Sequence, residues 1–134
     1  MKAFVGVHPS EAGRDEDLNW FESALEGASG AGEIGLDPKY SPLGPQGPQT
    51  RAFQAQLAAA ERAGKPVQVH SRGAERACLD VLSSFKTRSL LMHWFEGEEF
   101  VRDLRDRGYF VSFGPALLYS KKLQRIASSY DPTL

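Results

Sequence analysis

Short apolar runs alternate along the chain with stretches whose apolar residues recur every three or four positions. The first run, Ala3-Phe4-Val5-Gly6-Val7, predicts a strand stopped at His8-Pro9, where proline removes a ladder donor. Leu18, Phe21, Ala24 and Leu25 then mark the apolar face of a helix that Asp15 or Asp17 can cap. Gly27, Gly30 and Gly32 break it, and Ala31 to Leu36 reads as a second strand. Pro38 through Pro48 holds four prolines and two glycines, which predicts an irregular loop; Pro48 suits the first turn of the next helix. That helix, Gln49 to Ala63, carries Phe53, Gln56, Leu57 and Ala60 on one face and closes at Gly64.

The rhythm continues to the end. Pro66 to His70 predicts a third strand, Gly73 to Phe85 a helix, and Ser89 to His93 a fourth strand. Glu98 to Arg107 reads as a helix, Tyr109 to Phe113 as a fifth strand, and Leu118 to Ser129 as a last helix stopped by Asp131-Pro132. No hairpin dipeptide joins neighbouring strands. The alternation therefore predicts an α/β fold of parallel strands linked by helical crossovers, either a doubly wound sheet or part of a (β/α) barrel. No linker divides the chain, so residues 1–134 read as one domain. A closed eight-stranded barrel needs roughly 200 residues or more, which leaves an incomplete barrel of about five strands.

Composition narrows the field. Hydrophobic residues make up 41% and charged residues 25%, which is ordinary globular usage. A formal net charge of -1 leaves no overall basic footprint for nucleic acid, so any such contact rests on a local patch or a bound cation. The Lys121, Lys122 and Arg125 run reads as a solvated face. Cys78, the single cysteine, reads as a small buried hydrophobe, and one thiol fits a reducing, cytoplasmic setting. No apolar run reaches membrane-spanning length, so no membrane contact is expected.

The chemistry gathers at the strand ends. In parallel α/β folds the carboxyl ends of strands share a crevice, and here they carry His8, Glu33 with Asp37, His70 and His93. All three histidines of the chain fall there. Each alone reads equally as a hydrogen-bonded structural residue, and the glycines beside Glu33 serve a tight strand just as well. Together, one carboxylate and two imidazoles can converge on a divalent cation with positions left for water and substrate. Such donors suit Zn²⁺, Mn²⁺, Fe²⁺ or, with more water, Mg²⁺. Arg72 adds a guanidinium fork that matches phosphate, or else is an ordinary arginine at a helix start. Trp94-Phe95 reads as core or pocket wall; stacking against a base is possible but not indicated.

In this order, Gly6-Val7-His8-Pro9, Gly32-Glu33-Ile34-Gly35-Leu36-Asp37, Val69-His70-Ser71-Arg72, His93-Trp94-Phe95-Glu96-Gly97 and Gly108 to Ala116 resemble TatD-type metal-dependent deoxyribonucleases. Gln49, Phe53, Gln56 and Leu57 continue the likeness, which runs from Val5 to Pro132. The resemblance implies a TIM-barrel-type hydrolase that cuts phosphodiester bonds of DNA with two divalent cations. It implies Glu33 as the bridge between metals, His70 and His93 as ligands of the second metal, and His8 as a pocket residue; His8 and Arg72 are the candidates for catalysis.

The sequence departs from the family where the first metal binds. It begins at what resembles the second strand, so the family's His-x-His pair is absent, and it ends before the segment that carries the terminal aspartate. Ser10, Trp94 and Glu96 stand where the family usually has histidine, cysteine and serine. These departures imply weak activity for this chain alone, or a catalytically impaired relative that binds metal or a partner. A sheet with two open edges predicts a second copy or another chain covering them.

Overall fold

The computed structural model describes residues 2–13, 18–87 and 89–130. Five parallel strands form one sheet: β1 (Phe4–Val5), β2 (Gly30–Gly35), β3 (Val67–His70), β4 (Leu90–His93) and β5 (Phe110–Val111). Their spatial order is their chain order, so every connection steps to the next strand. A doubly wound sheet reverses direction partway across and wears helices on both faces. This one does neither, which decides between the two parallel architectures: it is a run of barrel-type (β/α) units, and the sheet is not closed.

The helices are α1 (Asn19–Gly27), α2 (Pro48–Arg62), α3 (Glu75–Leu82), α4 (Val101–Asp106) and α5 (Lys121–Ser129), with short 3₁₀ turns at Glu98–Phe100 and Pro115–Leu118. They cover one face of the sheet. Val67, Val69, Leu90 and Met92 point into that layer and are buried against Phe21, Phe53, Leu57, Leu79 and Leu104. The alternate positions Gln68, His70, Leu91 and His93 are only half-buried, and Phe4 and Phe110 on the outer strands are 42% and 37% exposed. Period-two alternation thus separates a helix-covered core from an uncovered second face that carries the histidines. Among the described residues no helix is long and apolar enough to cross a membrane.

Several elements are shorter than the apolar pattern predicts, each for a local reason. β1 ends at Val5 because the next backbone groups leave the ladder. Val7 N–H donates to Gln56 Oε1 (2.6 Å), and Gln56 Nε2 donates back to Val7 O (3.2 Å). α3 starts at Glu75 rather than Gly73, because Gly73 has φ +64° and Ala74 has φ -138°. It stops at Leu82, where the Ser83 hydroxyl takes the Asp80 carbonyl (2.6 Å). The last helix begins only at Lys121; Ser120 accepts from Leu123 N–H (3.3 Å) as its cap. Tyr109 N–H closes the turn after α4 on Leu104 O (2.9 Å), which shortens β5. The proposed Asp15 or Asp17 cap and the Asp131-Pro132 stop lie outside the described residues.

Gln56 is wholly buried. Replacing it with leucine keeps the volume but leaves both Val7 backbone groups without their partner. The expected cost is about 1–3 kcal/mol in urea unfolding; a change below about 0.5 kcal/mol, the scale of a neutral surface substitution, would contradict this bridging role.

Cys78 is fully buried, and burial pushes its thiol up to about 12. The thiol therefore stays protonated at pH 8. Iodoacetamide is expected to label Cys78 only through unfolding; rapid labelling of the folded protein would show an open thiol instead. On α5, Lys121, Lys122 and Arg125 are solvent-exposed, and Arg125 forks onto Glu98 (2.8 and 2.9 Å).

Candidate metal centre

Glu33 faces the uncovered side of the sheet because β2 changes phase beside it. Ala31 pairs with Val67 and Ile34 with Val69, so three steps along β2 answer two along β3. Strict alternation from buried Ala31 would send Glu33 into the helix-covered core. The extra residue gives that place to Ile34, which is fully buried, and turns Glu33 outward. Beyond it the chain presses against β3. At Gly35, with φ +146°, a Cβ would lie 2.0 Å from the His70 carbonyl oxygen. Only glycine lets the two strand ends approach so closely.

Three imidazoles surround the Glu33 carboxylate, each from a different strand end and each held by its outer nitrogen. His8 Nδ1 meets the Ser10 hydroxyl (2.8 Å), and Ser10 N–H also points at it (3.2 Å). His70 Nε2–H donates to Asp37 Oδ2 (2.8 Å). His93 Nδ1 meets the Ser112 hydroxyl (3.0 Å). Their inner nitrogens turn toward one place. His8 Nε2 and His70 Nδ1 are 3.4 Å apart, His70 Nδ1 is 3.5 Å from Glu33 Oε1, and His93 Nε2 is 3.8 Å from the same oxygen.

These separations are too long for good hydrogen bonds. They are close to the edge of a tetrahedral site, about 3.4 Å when metal–ligand bonds are ~2.1 Å. Glu33 Oε1 is buried and has no hydrogen-bond partner among the described residues. A buried carboxylate oxygen without a partner is costly unless a cation satisfies it. His8, Glu33 and His70 form a group whose ligand atoms all lie within 4.8 Å of one another and could hold a metal ion. The donor set fits a divalent cation, with His93 beside Glu33 as a further nitrogen. At His70 and His93 the outer partner can fix the tautomer and aim the ring as metal-binding histidines need, whereas His8 Nδ1 accepts from Ser10 N–H.

The electrostatics agree with this arrangement. The neighbouring His70 ring, more than any other group, holds the Glu33 carboxyl below its ordinary value; burial opposes it and the His93 charge adds to it. Burial works against charge on His70, but the Glu33 and Asp37 carboxylates outweigh it and raise its pKa. His8 goes the other way, lowered first by burial and then by His70. Asp37 is lowered too: burial opposes ionisation, and hydrogen bonds from His70, the Lys39 backbone (2.9 Å) and Arg72 overcome it.

Arg72 stands outside the inner group. Its Nε and Nη2 both donate to Asp37 Oδ2 (2.9 and 2.7 Å), its guanidinium lies 5.7 Å from the Tyr40 ring centre, and half of the side chain is exposed. It forms the rim of a cavity of about 270 Å³ whose walls include His8, Glu33, His70, His93 and Trp94. Glu75 and Glu96 line the same cavity. Burial, then the charges of Glu99 and Glu96, pushes Glu75 above the usual carboxylate range.

The structure also shows supporting residues that the sequence did not single out for the site. Asp37 read only as a second strand-end carboxylate; it is the group that orients His70 and anchors Arg72. Ser112 lies 19 positions beyond His93, and no spacing rule connects them. On α2, Gln49 Oε1 accepts from Asp37 N–H (2.7 Å) and its Nε2 donates to Asp37 O (2.9 Å). Gln56, two turns on, does the same for Val7, next to His8. Their apolar neighbours Phe53 and Leu57 made this face legible as core, but a glutamine in such a stripe carries no mark of its partner.

Comparison with known proteins gives the chain's family. Residues 1–133 match the sequence model of the family described as TatD related DNase. The chain is 30% identical to human deoxyribonuclease TATDN3 over 96% of this chain and 53% of that protein. It is 31% identical to an uncharacterized metal-dependent hydrolase, YcfH, of Escherichia coli strain K12, over 95% of this chain and 50% of that one. To the uncharacterized metal-dependent hydrolase MJ1582 of Methanocaldococcus jannaschii it is 26% identical, over 95% of this chain and 51% of the relative. The chain spans about half the length of these relatives. With the family model matched over nearly every residue, the chain belongs to the TatD related DNase family.

Proposed function

We propose that this chain binds one divalent cation, Mg²⁺, Mn²⁺ or Zn²⁺, and serves the hydrolysis of phosphodiester bonds in DNA. The observation that carries the reading is the buried, unpartnered Glu33 Oε1 with the inner nitrogens of His70 and His93 turned toward it. Glu33, His70 and His93 would hold the cation, and His8, which shares the group, stands as ligand or proton carrier beside it. A cation there supplies Lewis-acid polarisation of a phosphoryl oxygen and a nucleophile drawn from water at neutral pH.

The chain's own residues do the rest. Arg72 faces the cavity with its fork braced on Asp37, so it meets phosphate in a fixed orientation. His8 Nε2 reaches the cavity beside His70 and can hold or release a proton there, with Ser10 accepting or donating at Nδ1. Phosphate would otherwise meet Glu33, Glu75 and Glu96 with one guanidinium already committed to Asp37. Inorganic phosphate is therefore expected to bind only when the cation is present. Calorimetric titration with and without Mg²⁺ checks this, and equal binding in both would contradict it.

One specific observation favours a second reading. The described residues hold one group able to bind a metal, whereas a two-metal site stabilises both the attacking and the leaving oxygen. On that reading the chain is a metal-binding or partner-binding subunit with impaired catalysis. Metal analysis together with cleavage of single-stranded DNA in Mg²⁺ and Mn²⁺ separates the two. Turnover abolished by Glu33→Ala supports the hydrolase; one equivalent of metal, lost in the same variant and without turnover, supports the subunit.

The uncovered sheet face, with Phe4 and Phe110 exposed on its outer strands, supports self-association or a partner chain over the open side. Sedimentation is expected to give a dimer or larger species; a monomer at micromolar concentration would overturn this part.

A further inference from the structure

Trp94 is the only described residue other than glycine with a left-handed backbone, at φ 48°. A bulky side chain rarely occupies that region, because its Cβ crowds the following carbonyl oxygen. Burial does not offset this crowding, because Trp94 is 59% exposed while its neighbour Phe95 is 1% exposed. The strained turn therefore brings the indole out of the core, and it is firmly held there. Trp94 N–H donates to Ser112 Oγ (3.2 Å), the hydroxyl that also meets His93 Nδ1. The indole stacks on the His93 imidazole, with ring centres 5.4 Å apart and planes inclined by 27°. Gly114 packs so near that a Cβ there would lie 3.1 to 3.4 Å from three indole carbons. Even with these contacts Trp94 stays three-fifths exposed, so apolar indole surface remains available to a ligand. That surface forms part of the cavity that holds Glu33, His70 and His93.

We propose that Trp94 is a stacking platform for a nucleobase of the strand whose phosphate lies at the metal centre. The inference rests on the phosphodiester reading above and adds what the site does with the rest of the nucleotide. A base and its phosphate are separated by one sugar, and the platform stands one residue from a histidine of the centre. The indole brings no charge into a cavity that already contains Glu75 and Glu96, so its contribution is contact with a flat, apolar surface. Every base has such a face, and the platform therefore binds without reading sequence.

The chain's two tryptophans are Trp20 and Trp94, so a Trp20→Phe background isolates the fluorescence of Trp94. In saturating Mg²⁺, three probes are titrated: a short oligodeoxyadenylate, an abasic strand of the same length, and deoxyadenosine monophosphate. The base-bearing strand is expected to quench Trp94 and to bind more tightly than the abasic strand. Trp94→Ala should weaken the base-bearing strand by about 5- to 150-fold and leave the abasic strand unchanged, while Trp94→Phe keeps most of the affinity. Quenching by the mononucleotide as strong as by the strand keeps the platform and makes a free nucleotide its ligand. Equal binding of both strands to the parent, or equal weakening of both by Trp94→Ala, overturns the platform alone. Binding of neither strand overturns the phosphodiester reading and the platform with it. A Trp94→Ala variant that changes only sedimentation makes the indole a protein contact and overturns the proposal.

Discussion

Glu33→Gln is expected to abolish metal binding while leaving the fold in place. Glutamine keeps the shape of the side chain but removes the anionic oxygen on which the inner nitrogens of His70 and His93 converge. Loss of a partner behind a metal ligand costs about 10- to 100-fold in affinity, so loss of the central carboxylate should exceed that range. The effect reads out in stability as well. Metal at a hundred times its dissociation constant stabilises a folded site by about 2.7 kcal/mol, and the variant should gain none of it. Thermal unfolding with and without Mg²⁺, Mn²⁺ or Zn²⁺ measures the difference. A variant whose midpoint still rises with metal as the parent's does would place the cation elsewhere.

Gly35→Ala should destabilise the protein by about 3 kcal/mol or more. Two causes combine. The backbone at φ +146° is one that side chains rarely adopt, and the new methyl would meet the His70 carbonyl oxygen at 2.0 Å. Relief requires β2 and β3 to separate at the point where Glu33 and His70 face each other, so metal affinity should fall as well. Gly64 supplies the control. It closes α2 at φ +61° with nothing within 4 Å of a Cβ, so Gly64→Ala carries only the conformational cost of about 1–2 kcal/mol. Urea unfolding of both variants tests the comparison, and equal losses would show that the close approach at Gly35 adds nothing.

Much of this was legible in the sequence because it depends on local rules. Apolar runs stopped by His8-Pro9, glycine breaks at Gly27 and Gly64, and three-and-four spacing along Phe53, Gln56, Leu57 and Ala60 give the order of elements. Parallel topology then carries every strand end to one side, which is why His8, Glu33, His70 and His93 could be grouped before any geometry was known. What stayed hidden depends on phase and on distance along the chain. The extra residue between Ala31 and Ile34 decides which way Glu33 faces, and nothing in Gly-Ala-Gly-Glu-Ile-Gly announces it. Ser10 and Ser112 orient rings across a turn and across a strand. The pattern overran at Val7 and at Gly73 for a related reason: side-chain clamps and positive φ end elements earlier than hydrophobicity does.

The two glutamines of α2 have a consequence for where the site can be tuned. Gln49 and Gln56 fix the backbone beside Asp37 and His8 from a helix that lies behind the sheet, away from the mouth of the cavity. Because they ride on one rigid rod, a small tilt or slide of α2 would displace Asp37 and the His8 segment together, by amounts set by their levers on the rod. Conservative changes beneath α2, at Phe53 or Leu57, would then alter the spacing of the imidazoles without touching any of them. A mutational survey confined to the cavity walls would overlook the part of the chain that sets their calibration.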